Sequence, residues 1–201
     1  MKRPFVLGLT GSIGMGKSTT ARMFADADIP VWDADATVHE LYSTDTPAVR
    51  QIAEMLPQAV ENHTVNREVL KAEIAKDKTI LPKLEMIVQP LIHNSRTAFI
   101  NNAARNGDDI VVIDHPLLLE SQTDRYCDAV LVVTADAGEQ RRRVLDRGTM
   151  DEATLDIILA KQMPDAEKRK RADYIVETTT LDAARAQVQA VIDQIRGREH
   201  A

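Results

Sequence analysis

The chain has 201 residues, 44% hydrophobic and 28% charged, which excludes disorder and supports one domain with an insertion or two small lobes. A net charge of −6 argues against a nucleic-acid binder, whose binding face is basic, and no apolar run reaches the ~20 residues needed to span a bilayer. A single cysteine excludes an internal disulfide and matches a reducing, cytoplasmic setting. Met1 to Phe5 lead straight into the first apolar run, which leaves no room for a signal peptide.

Residues 5–10 read as a buried strand and residues 17–27 as a helix. Between them Gly11, Ser12, Ile13, Gly14, Met15, Gly16, Lys17, Ser18 and Thr19 fit G-x-x-x-x-G-K-[ST]. Strand, loop and helix in that order form a phosphate cradle. The glycines permit tight curvature, and the helix adds unpaired N–H groups and the positive end of its dipole. A triphosphate is the ligand such a nest holds best, with Lys17 reaching the β- and γ-phosphates and Ser18 ligating Mg²⁺. Met15 is an ordinary variable position of the loop.

Ile29 to Trp32 form a short second strand ending at Asp33, with Trp32 in the core or on a cleft wall. Asp33-Ala34-Asp35 places two carboxylates two residues apart. Asp33 is the candidate base for a substrate hydroxyl proton. The competing readings are a turn or helix cap, or a Mg²⁺ ligand. Asp35, before Ala36-Thr37-Val38, reads better as an N-cap.

Residues 45–106 contain no convincing strand. Leu81, Leu84, Ile87, Val88, Leu91, Ile92 and Phe99 recur at helical spacing. Pro90 is expected to kink or divide that helix, and Asn106-Gly107 to stop it. This segment reads as a helical insertion in the nucleotide-binding core, which comprises 1–44 and 107–201.

A third strand, Ile110 to Ile113, ends at Asp114, in the pattern of an acid near the metal, with a simple turn as the alternative. Pro116 shapes the next turn, and Glu120 reads as a surface residue or structural ion pair. Cys127 reads as a packing residue just before a fourth strand, Ala129 to Val133, which leads into a helical stretch at 137–147. There Arg143 and Arg147 share a face at i and i+4 and can clamp phosphates, although an arginine-rich helix is commonly a solvated face. The run Lys168-Arg169-Lys170-Arg171 can face anions in a closed site, although a solvated face is the safer reading. A fifth strand, Tyr174 to Val176, precedes a last helix with Ala184, Val188, Val191, Ile192 and Ile195 on one face. The histidines at 39, 63, 93, 115 and 200 show no metal-ligand spacing. Apolar strands alternating with helices imply an α/β fold: a parallel sheet covered on both faces, with its ligand at the carboxyl ends of the strands.

Several segments together are similar to the dephospho-CoA kinases. They are Gly8 to Thr19, Ile29 to Asp35, Leu84-Glu85 through Pro90, Pro116-Leu117-Leu118 with Glu120, Gln140 with Arg143 and Arg147, Gln162, and Glu167-Lys168 to Ala172-Asp173. The resemblance covers nearly the whole chain in order. It implies the three-layer P-loop kinase fold with a five-stranded parallel sheet, an acceptor domain at 45–106 and a lid at 140–170. It further implies transfer of the ATP γ-phosphate to the ribose 3′-hydroxyl of dephospho-CoA, with Mg²⁺ as cofactor. Asp33 maps onto the base, Lys17 onto the phosphate-binding lysine and Arg147 onto the lid arginine, with Arg143 beside it in the ATP site. Thr10, Asp33, Asp35, Pro116 and Leu117 map onto the acceptor site, and Ser18 and Asp114 onto the metal site. ATP and dephospho-CoA are then the partners of a cytoplasmic monomer, self-association remaining open, with no nucleic acid or membrane involved. Three positions depart from the family pattern: Gln89 before Pro90, Gly148 after Arg147, and Glu177-Thr178 after the fifth strand. Two alternatives remain at this point: another small P-loop kinase of nucleoside monophosphates or small alcohols, and a nucleotide-sensing module without turnover.

Overall fold

A computed structural model describes residues 2–43 and 45–198, so Met1 and His200 lie outside the described residues. The chain divides into two compact units, Met1–Trp32 with Ile100–Ala201, and Asp33–Phe99. The divisions therefore fall at 33 and 99 rather than at 45 and 106. Residues 34–42 form a helix that packs with the helices after it, and Tyr42 belongs to their core.

The first unit is built on a parallel sheet of five strands: β1 (Phe5–Thr10), β2 (Val31–Asp33), β5 (Ile110–Asp114), β6 (Ala129–Thr134) and β7 (Tyr174–Glu177). Their order is β2-β5-β1-β6-β7. The central strand β1 aligns Leu9 with Asp114 on one side and with Leu131 on the other. One face of the sheet buries Leu7, Leu9, Ile110, Val112, Leu131 and Val133. Against it pack α1 (Lys17–Asp26), through Phe24, and α9 (Leu181–Arg198), through Val188, Ile192 and Ile195. The other face buries Val130 and Val132 with Leu118 and Leu119. Every strand residue from Ile110 to Asp114 and from Ala129 to Thr134 is buried, as a sheet covered on both faces requires. Cys127 lies at the edge of that second cluster, and Trp32 is buried as well.

The second unit holds α2 (Ala34–Tyr42), α3 (Pro47–Met55), α4 (Arg67–Lys76) and most of α5 (Ile80–Asn106). Its core comprises Tyr42, Val49, Ile52, Leu56, Val65, Leu70, Leu84 and Val88. Thr46 and Asn66 cap α3 and α4 through their side chains.

One expectation fails in this unit. A short antiparallel hairpin, β3 (Val60–Glu61) and β4 (Thr64–Val65), lies in the stretch read as strandless. Its turn residues Asn62 and His63 both take positive φ, 49° and 60°, the geometry of a tight hairpin turn. Of the kink or division expected at Pro90, the division does not occur, and α5 runs through the proline. A proline removes one backbone donor, while Leu84 and Val88 on the preceding turns remain anchored in the core. The expected stop does occur at Gly107, whose φ of +83° suits a residue without a Cβ.

Candidate active site

The loop from Gly11 to Gly16 leaves β1 and enters α1 at Lys17. Gly14 and Gly16 take φ of +81° and +92°. A Cβ on Gly14 would sit 2.6 Å from Val144 Cγ2 and 2.9 Å from the Gln140 carbonyl oxygen, so α6 (Ala137–Leu145) is packed directly on the loop. A Cβ on Gly11 would meet the Val133 carbonyl oxygen at 2.7 Å. Both sides of Ile13 are held: Gln140 Nε2 donates to its carbonyl at 2.7 Å, and its N–H donates to Gln162 Oε1 at 3.2 Å. Met15 is more than a variable position. It is buried, and its Sδ accepts from the Ala135 N–H at 3.1 Å. The first N–H groups of α1 lack intrahelical acceptors, and no side chain caps them.

Lys17 Nζ donates to Asp114 Oδ1 at 2.6 Å, the two side chains being 15% and 3% exposed. The ammonium has three donors, so this bond leaves two for other oxygens. Ser18 and Thr19 are exposed. Among the described residues no group of three or more His, Cys, Asp or Glu side chains is arranged to hold a metal. Mg²⁺ does not require one: it keeps several waters and takes one or two protein oxygens plus phosphate. The buried Asp114 carboxylate and the Ser18 hydroxyl have the donor chemistry for that role.

Beside the loop lies a hollow of about 400 Å³, lined by Gly14, Gly16, Thr19, Arg143, Arg147 and Thr178, with Leu181 and Ala184 of α9 below. Thr178 follows β7 and is buried. Its hydroxyl donates to the Met15 carbonyl at 2.8 Å, with the Thr134 carbonyl at 3.3 Å. Arg143 Nη1 donates to the same hydroxyl at 2.8 Å, Nη2 to the Thr178 carbonyl at 2.5 Å, and Nε to Glu139 Oε1 at 2.6 Å. Hydrogen bonds from Arg142 and Arg143 pull the Glu139 carboxyl down to about 2, so it remains charged throughout the neutral range. Arg147 is exposed and has no hydrogen bond or ion pair among the described residues.

On the loop after β5, Thr10 Oγ1 donates to the Pro116 carbonyl at 3.1 Å, while Leu117 is 41% exposed. Lys168 corrects the reading of its run as solvated. It lies in α8 (Asp165–Lys170), is fully buried and pairs with Glu120 at 2.9 Å. Its neighbours Arg169, Lys170 and Arg171 are exposed. Lys168 also donates to the Pro116 carbonyl at 3.3 Å, and Glu120 Oε1 accepts from the Met163 N–H at 2.8 Å. Burial pushes the Glu120 carboxyl up, but the hydrogen bonds from Lys168 and Met163 outweigh it, so the group lies below its ordinary value. Sequence reasoning missed this network because the partners stand far apart in the chain. The usable signal was Glu120, an acid just after two buried leucines.

Asp33 and Asp35 open the second unit. Asp33 is the last residue of β2 and the N-cap of α2, its Oδ1 accepting from the Ala36 N–H at 3.0 Å. The cap is therefore Asp33, not Asp35, because the helix begins one residue before Asp35; Asp35 stands exposed in its first turn.

A glycine-lined nest after the central strand, a lysine at its helix and an arginine-lined hollow beside it define an α/β P-loop kinase. The comparisons narrow the class. The dephospho-CoA kinase family model matches residues 5–183. A protein of Cereibacter sphaeroides named dephospho-CoA kinase is 53% identical over 194 residues, 96% of this chain and 97% of that one. Among solved structures, TT1252 of Thermus thermophilus matches with a TM-score of 0.78 at 29% identity, covering 96% of this chain and 98% of that one. The dephospho-CoA kinase of Campylobacter jejuni shares the fold, with a TM-score of 0.72 at 21% identity and the same coverage. The chain belongs to the dephospho-CoA kinase family, a family of kinases that use ATP to phosphorylate dephospho-CoA.

Proposed function

We propose that the chain transfers the γ-phosphate of ATP to the ribose 3′-hydroxyl of dephospho-CoA through the groups around Lys17 and Asp33. The activity follows from the family; the residue roles are inferred from chemistry. The observation that carries them is the loop itself, with its left-handed glycines and Lys17 at its exit. Loop amides and Lys17 bind the β- and γ-phosphates, and Ser18 and Asp114 are the groups to hold Mg²⁺. That ion, when bound, neutralises phosphate charge.

Asp33 accepts the proton of the 3′-hydroxyl as its oxygen forms the new P–O bond. The bond between the γ-phosphorus and the bridging oxygen breaks, and ADP leaves. Arg147, with Arg143 beside it, faces the phosphates on the donor side. Residues 140–170 act as a lid that keeps water from the reacting phosphate. The acceptor-binding roles fall to Asp33 and Asp35 at the start of the second unit and to Thr10, Pro116 and Leu117 of the first. The net charge of −6 supports a small-molecule substrate over nucleic acid. No helix of the described residues is long and apolar enough to cross a membrane. The single cysteine supports a reducing, cytoplasmic setting.

The test is ADP formation by the purified protein with ATP, Mg²⁺ and dephospho-CoA. ADP and CoA appearing in equal amounts is the expected result. Phosphorylation of nucleoside monophosphates but not of dephospho-CoA would overturn the proposal. So would ATP binding without ADP release for any acceptor.

A further inference from the structure

We infer that Thr178 is a positioning residue of the donor site, a latch that ties Arg143 to the phosphate loop, and that Arg143 acts chiefly through this latch while Arg147 is the arginine that meets the transferring phosphate. The inference rests on ATP being the ligand of the loop.

A threonine hydroxyl has one proton to donate and two lone pairs. At Thr178 the proton goes to the Met15 carbonyl at 2.8 Å, and a lone pair takes Arg143 Nη1 at 2.8 Å. The Thr178 methyl lies under the next loop residue, where a Cβ on Gly16 would stand 3.1 Å from Thr178 Cγ2. One buried side chain thus fixes the two residues immediately before Lys17, and does so from the end of β7.

Arg143 completes the latch from α6. Three of its five N–H groups are engaged, on Thr178 Oγ1, the Thr178 carbonyl and Glu139. These bonds of 2.5–2.8 Å, made to partners that stay charged or buried, hold the guanidinium in place and leave two N–H groups over. Arg147, four residues on, is not on the helix as the sequence suggests but in the turn just past the end of α6; it lines the same hollow and is exposed, with all its donors available among the described residues. The pair that looks equivalent on a helical wheel is therefore split by what holds each member.

Thr178→Val keeps the shape and removes the hydroxyl, leaving the Met15 carbonyl and Arg143 Nη1 without their partner. Leaving those groups unsatisfied loosens the loop geometry that nucleotide requires, with a penalty equivalent to about a factor of ten. Thr178→Ser restores the hydroxyl. Calorimetric titration with ATP and with ADP, together with steady-state rates on dephospho-CoA, reads the effect.

The expected result is that Thr178→Val weakens ATP and ADP by the same factor, about tenfold, and raises KM for ATP more than it lowers kcat. Thr178→Ser returns to within about twofold of the parent, and Thr178→Val with Arg143→Gln is no worse than the weaker single variant. Unchanged nucleotide affinity in Thr178→Val overturns the latch. Should that variant fail to fold, Arg143→Gln decides, since the Arg143 side chain keeps 23% exposure: equal loss of ATP and ADP supports the latch, and loss of ATP alone shows direct contact with the γ-phosphate and overturns it. Parent protein that binds ATP without phosphorylating dephospho-CoA overturns the proposed function and leaves the latch testable. Parent protein that turns over while Thr178→Val binds nucleotide normally overturns the latch only.

Discussion

Lys17 and Asp114 meet at 2.6 Å across the carboxyl ends of neighbouring strands, one entering α1 and the other ending β5. Strand register makes the pair possible, because Leu9 and Asp114 stand side by side. Lys17→Met removes a phosphate ligand and the ion-pair partner of a carboxylate that is 3% exposed. Both ATP affinity and kcat are expected to fall, and thermal stability with them, since breaking a buried pair is costly. Asp114→Asn keeps a hydrogen-bond acceptor and removes the charge. It is expected to raise the Mg²⁺ concentration needed for half-maximal rate, measured by titrating Mg²⁺ at saturating ATP. An unchanged Mg²⁺ requirement would remove Asp114 from the metal site.

Asp33→Asn is expected to lower kcat by roughly 10²–10⁴-fold while ATP affinity stays within about twofold. The asparagine can still accept from the Ala36 N–H, so α2 keeps its cap. Asp33→Ala loses the cap as well and costs about 1 kcal/mol more in stability. Comparing the two separates chemistry from capping: equal kcat in Asp33→Asn and the parent assigns Asp33 to capping alone.

Lys168 and Glu120 form a buried pair with consequences for stability. Lys168→Met leaves Glu120 charged and without its main partner, at a cost of about 3 kcal/mol, the lower end for such pairs because Glu120 retains 19% exposure. Folding lowers the Glu120 pKa from its ordinary 4.5, so the pair's contribution is complete above that value. It is lost as pH falls through the lower, folded value. Urea unfolding of the parent and of Lys168→Met at pH 7 and near pH 3 measures this. The difference between them is expected to shrink on the acid side, and a constant difference would show that the pair does not carry it.

What the sequence shows and hides follows from how local each interaction is. The five strands are legible because each is a short apolar run, and the loop is legible because its glycines and lysine have fixed spacing. The hairpin at Val60–Val65 is not, since two residues per strand give no periodicity and its turn uses Asn62-His63 rather than glycine. Lys168 is hidden inside a run of four cations, and only the fold sets it apart by placing Glu120 beneath it. Thr178 carries no local signal at all. Its partners come from residues 15, 134 and 143, brought together only when β1, β6 and β7 align.

Arg147 provides the sharpest contrast with the latch. Its guanidinium is exposed beside the phosphate loop and makes no bond that Arg147→Met would break among the described residues. Stability is therefore expected to remain within about 0.5 kcal/mol of the parent, as for surface changes away from special features. Catalysis is expected to drop by roughly 10²–10³-fold, the usual loss when one donor to developing charge is removed from a closed site. ADP, lacking the γ-phosphate, is expected to bind Arg147→Met as it binds the parent. The three measurements together isolate a group that acts on the transferring phosphate alone: a fall in ADP affinity matching the fall in kcat would instead place Arg147 with Arg143 as a general support of the nucleotide.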